Sequence, residues 1–134
     1  MAEPTQEQID TLAAAAIAVR SKAYAPFSKF YVGAAILDNE GRVFSGVNVE
    51  NSSYGLTICA ERTAAGAAIT AGAKEFVAIA IATPGAAAPC GACRQFLYEF
   101  GPQCTVLLVD SETHQVARRA KLDELLPNGF RLGQ

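Results

Sequence analysis

Apolar residues recur at helical spacing behind Thr5, where Ile9, Leu12, Ala13, Ala16 and Ile17 share one face. Gln8, three residues after Thr5, completes a capping-box signature, and Pro26 bars any continuation of that helix. The period then changes. Residues 30–37 and 42–49 are apolar and β-branched and flank Asp38-Asn39-Glu40-Gly41, which predicts a hairpin. Beyond a polar stretch at 51–55, the Ala-rich segment 58–71 predicts a helix whose end suits Gly72. Residues 76–82 read as a continuous apolar strand, 91–100 as a helix stopped by Gly101-Pro102, and 105–109 as a second buried strand. A short strand over 116–121 and a helical turn over 123–126, before Pro127, complete the series.

A helix, a hairpin, then helices and strands in alternation predict an α/β fold of three layers, with a mixed sheet of about five strands covered by helices on both faces. Strands without charge, such as 76–82, are what burial on both faces requires. The length of 134 residues with 51% apolar and 18% charged residues fits a single domain over 1–134 with a substantial core, and excludes disorder. Eleven basic against thirteen acidic residues leave no basic excess for a nucleic acid to bind. The longest uncharged run, 76–93, is interrupted by Pro84, Gly85, Pro89 and Gly91, so no membrane segment is expected. The acidic, polar first ten residues do not read as a secretory signal, which points to a cytoplasmic protein with reduced thiols.

Candidate chemistry concentrates in Cys59-Ala60-Glu61-Arg62 and Pro89-Cys90-Gly91-Ala92-Cys93-Arg94-Gln95. Each segment opens a predicted helix, where unpaired N–H groups and the helix dipole favour thiolates. Cys59, Cys90 and Cys93 can supply the three protein ligands of a catalytic zinc, leaving one position for water. Three thiolates make such a metal electron-rich. Arg62, one turn beyond Cys59, is placed to donate hydrogen bonds to the sulfurs and withdraw charge from them. Gln95 is a further candidate donor. Glu61, in the first turn, can reach a water at the open position without binding the metal itself.

Blander readings exist for each part. Cys59 alone could be a buried small hydrophobe, and Cys90 with Cys93 alone a redox dithiol or half of a structural zinc site. Cys104 would close a four-sulfur site, but it opens a strand after a separate turn and reads as core. His114, the only histidine, reads as a surface turn, and Arg118, Arg119 and Lys121 as a solvated or interface strand.

The cysteine and glutamate spacing matches the signature of the zinc deaminases. The whole chain resembles the cytidine deaminase family, the small homotetrameric type with three cysteine ligands. The matching stretches are residues 26–35, Asn48-Val49-Glu50-Asn51, 59–64, 89–95 and Leu125-Leu126-Pro127-Asn128-Gly129-Phe130. That resemblance implies one Zn²⁺ per subunit and hydrolysis of cytidine and 2′-deoxycytidine to the uridine counterparts, in pyrimidine salvage, with Glu61 as the proton carrier. It further implies that Asn48 and Glu50 bind the ribose, that Phe30 packs on the pyrimidine, and that the backbone near Ala60 holds the amide edge of the base. Tyr54 and Phe130 match aromatic positions that reach across subunit interfaces to complete neighbouring sites. Two rival readings are a related zinc deaminase acting on an aminonucleoside antibiotic and a non-catalytic structural zinc module.

Overall fold

The computed structural model describes residues 3–133. Five strands form one sheet: β1 (Gly33–Asp38), β2 (Val43–Val47), β3 (Phe76–Thr83), β4 (Thr105–Asp110) and β5 (Gln115–Lys121). Their order is β2-β1-β3-β4-β5; the β3–β4 pair is parallel and the other three pairs are antiparallel, so the sheet is mixed. The helices are α1 (Gln6–Val19), α2 (Ala60–Thr70), α3 (Gly91–Tyr98) and the short α4 (Leu122–Leu125).

Alternation along the central strand sorts the two faces. Ala78, Ala80 and Ala82 of β3 join Leu107 and Val109 under α1, which contributes Ile9, Leu12, Ala13 and Ala16. Ile79 and Ile81 point the other way, into a core shared with Ala64, Ala65 and Ala68 of α2 and Leu97 of α3. A bulge between Leu37 and Asp38 of β1 shifts the pairing so that Asp38 faces Phe76 and Val77 is left over. Phe76 thereby stays on the α2 and α3 side while Val77 and Ala78 both face α1. Helix α2 lies so close to the sheet that a Cβ on Gly46 would sit 2.3 Å from the backbone nitrogen of Ala64. Only glycine admits that approach.

The elements agree with the sequence reading except at several ends. The hairpin strands are shorter than 30–37 and 42–49, because Asn48 replaces the ladder at their open end. Its Oδ1 accepts from Val32 N at 2.9 Å and its Nδ2 donates to Phe30 O at 2.8 Å. Helix α2 starts at Ala60 rather than 58, since Ile58 and Val49 exchange two backbone hydrogen bonds of 2.9 Å in an extended bridge. Helix α3 closes at Tyr98, where Leu97 O accepts from both Phe100 N and Gly101 N.

Candidate metal and active site

The bridge between Ile58 and Val49 leaves Cys59 in an extended conformation (φ −71°, ψ 152°) as the residue that caps α2. Cys90 stands at the start of α3 in a similar extended conformation (φ −68°, ψ 165°), and its Sγ accepts from Cys93 N at 3.4 Å. Cys93 lies buried in the first turn of α3. The two helix starts converge, and the three Sγ atoms lie within 4.8 Å of one another. Cys59 Sγ and Cys90 Sγ are 4.0 Å apart. A tetrahedral zinc with Zn–S bonds of about 2.3 Å needs sulfurs about 3.8 Å apart, so the donor set fits zinc in both chemistry and spacing. Among the described residues no fourth ligand joins the group. Cys104 is fully buried and donates to Thr105 O, as expected of a core thiol, and burial pushes it up to about 12.

Electrostatics favour thiolate at Cys59. The neighbouring Cys93 thiol and the Arg62 guanidinium outweigh burial and hold Cys59 well below the ordinary thiol value. Arg62 Nη2 stands 3.6 Å from Cys59 Sγ. Cys93, as donor in that pair and buried, is pushed up. Gln95 Nε2 donates to Phe130 O at 3.3 Å and ties down the C-terminal segment.

Glu61, the second residue of α2, is 5% exposed. Burial, reinforced by the nearby Cys59 charge, pushes its carboxyl up to about 7. A carboxyl in that range can both take and return a proton near neutral pH. Glu61 shares a cavity of about 210 Å³ with Cys59, Cys90, Ala60, Phe30 and Asn48. That volume is below the roughly 300–1,000 Å³ of sites for drug-sized ligands and suits one small ring.

Thr57 lines both this cavity and a neighbouring groove of about 420 Å³ formed with Phe27, Ser28, Glu50 and Tyr54. Glu50 Oε1 accepts from Phe27 N at 3.0 Å and Ser28 N at 3.2 Å, while Ser28 Oγ donates to Oε2. The Ser28 hydroxyl, with those backbone N–H groups, holds this carboxyl below the usual range despite partial burial. The Tyr54 ring packs 6.0 Å from that of Phe27. Of the residues singled out from sequence, Phe30, Asn48, Ala60 and Glu61 thus meet the cysteines, and Glu50 and Tyr54 stand in the adjoining groove. Phe130, 66% exposed, lines neither cavity of its own chain.

Sequence reasoning missed Thr57, Thr83, Ala87 and Ala88 in the cavity wall. The single available signal was Thr83 at the boundary between an apolar strand and a Pro-Gly turn. It also missed Arg94 as a brace: its Nε donates to Pro89 O at 2.9 Å and its Nη1 to Leu125 O at 2.8 Å.

A three-cysteine cluster at two helix N-termini, with a buried carboxyl beside it on an α/β/α sheet, is the arrangement of a zinc-dependent deaminase. The sequence matches the family model of the cytidine and deoxycytidylate deaminase zinc-binding region over residues 6–109, and the chain belongs to that family. It is 44% identical over 117 residues to a cytidine deaminase of Halalkalibacterium halodurans, covering 86% of this chain and 88% of that one. It is 50% identical over 99 residues to a probable cytidine deaminase of Dictyostelium discoideum, covering 72% and 67%. Among solved structures, a cytidine deaminase from Burkholderia pseudomallei superposes with a TM-score of 0.85 at 47% identity, covering 94% of this chain and 99% of that one.

Proposed function

We propose that this chain, as one domain over 1–134, hydrolyses cytidine and 2′-deoxycytidine to uridine and 2′-deoxyuridine with release of ammonia. The observation that carries the reading is the buried Glu61 carboxyl in one small cavity with Cys59 and Cys90, two of the three clustered cysteines. Cys59, Cys90 and Cys93 would hold one zinc ion per subunit, which when bound would supply Lewis acidity to the water that adds at C4 of the base. Glu61 takes one proton of that water and passes it to N3, then takes the second from the new C4 hydroxyl and delivers it to the departing amine, so that the base keeps the oxygen as its carbonyl and ammonia leaves. Arg62 drains charge from the sulfurs.

Recognition of the nucleoside falls to the rest of the site. Phe30 packs on the pyrimidine, and the helix N-terminus at Ala60 offers backbone N–H groups to the amide edge of the base. Glu50 keeps lone pairs free beyond the bonds it accepts from residues 27 and 28, enough for a ribose hydroxyl. Asn48 acts beside it on the sugar while holding Phe30 in place. A carboxylate at the 3′-hydroxyl disfavours a 3′-phosphate by like charge, which selects free nucleosides over polynucleotides. Tyr54, at 77% exposure, and Phe130 are apolar surfaces that a homotetramer would cover, each reaching a neighbouring site. No helix among the described residues is long and apolar enough to cross a membrane. A cytoplasmic role in pyrimidine salvage completes the reading.

The test is direct. The zinc-loaded full chain, given cytidine, should convert it to uridine with one ammonia per turnover. Intact cytidine beside a fully zinc-loaded protein would instead indicate a structural module.

A further inference from the structure

The segment between β3 and α3 carries the least conspicuous sequence near the site, yet its geometry is tightly specified. Ala86 is buried and adopts a left-handed backbone conformation (φ 54°), which a residue with a Cβ avoids unless it is held there. Thr83 does the holding. Its carbonyl oxygen accepts from Ala86 N at 3.2 Å and from Ser111 N at 2.9 Å, and its Oγ1 accepts from Ala87 N at 2.6 Å. Thr83 is 2% exposed and lines the same cavity as Ala87 and Ala88. The hydroxyl therefore fixes the stretch of backbone from which one wall of the cavity is built. The metal ligand that follows is secured separately, because Arg94 grips Pro89 O and Cys93 N bonds Cys90 Sγ.

We infer that Thr83 is a positioning residue for the nucleoside: its hydroxyl sets the shape of the Ala87–Ala88 wall and hence the affinity for the base, without acting on the metal or on Glu61. The inference rests on the proposed deamination of cytidine, which turnover by the unaltered protein tests on its own.

Thr83→Val keeps the shape of the side chain and removes the acceptor, leaving Ala87 N unpaired. Loss of one such bond predicts a KM for cytidine about tenfold higher, with kcat changed less than about threefold and full zinc content. Thr83→Ala should give the same KM shift, and Thr83→Ser, which restores the hydroxyl, should return KM to within about twofold of the original. An unchanged KM in folded Thr83→Val or Thr83→Ala overturns the inference. So does a Thr83→Ser variant as impaired as Thr83→Val, or zinc loss from either variant that lacks the hydroxyl.

Discussion

Helix α1 and helices α2 and α3 begin in opposite ways. At the start of α1, Thr5 accepts from Gln8 N at 3.1 Å and Gln8 Oε1 accepts from Thr5 N at 2.9 Å, a reciprocal cap that leaves those N–H groups satisfied. At the start of α2, Cys59 makes no side-chain cap bond, and at the start of α3 a soft sulfur accepts from Cys93 N at 3.4 Å. A cysteine is a poor cap. What it leaves is a helix end whose N–H groups and dipole remain available to stabilise negative charge. One side of the sheet is therefore closed by a helix built for stability, and the other by two helix ends built to hold thiolates and a buried carboxyl.

That contrast can be broken from either side. The largest effect is expected from Cys59→Ser, which replaces a thiolate with a weak ligand: zinc retained after dialysis should fall sharply and turnover should vanish with it, as metal analysis and cytidine assays would show. Next comes Glu61→Gln. Removing the proton carrier should lower kcat by at least about 10²–10⁴ while zinc content and fold persist. A variant with near-normal turnover would remove Glu61 from the chemistry.

Thr5→Ala sharpens the comparison from the other face. It should lower stability by about 1 kcal/mol in denaturant titration and leave kcat and KM unchanged, since the start of α1 packs on the face of the sheet opposite α2 and α3. The smallest effect concerns Asp38, at the other end of β1. Burial alone would raise its carboxyl, but hydrogen bonds from Arg42 and from Glu40 N outweigh burial and hold it below the ordinary value. A depressed carboxyl stabilises the fold above its unfolded pKa, near 3.9, and that contribution is lost as pH falls through the lower folded value. The stability gap between the unaltered protein and Asp38→Asn should therefore be open at pH 6 and narrow on acidification toward pH 3.

Much of the fold was legible because its signals are local. Thr5 with Gln8 announces a helix start within four residues, and the uncharged run of β3 announces two-sided burial by itself. The cysteines and Glu61 were legible for the same reason, being spaced within single helix turns. What escaped depends on contacts between distant segments. Residues 30–32 look like strand, yet a side chain 16 to 18 positions away takes over their hydrogen bonding. Thr83 is marked in the sequence only as the polar end of an apolar strand, and its place in the cavity wall emerges once the topology has set the end of β3 beside the start of α2. Phe130 lines neither site cavity of its own chain, so its resemblance-derived role rests on a second copy rather than on any pattern along the sequence.

Zinc-edge X-ray absorption on the metal-loaded protein addresses the open three-sulfur centre most directly. Three sulfur neighbours and one light atom at the zinc are the expected result, matching Cys59, Cys90 and Cys93 with a position left for water. Four sulfur neighbours, with no light atom, would contradict it.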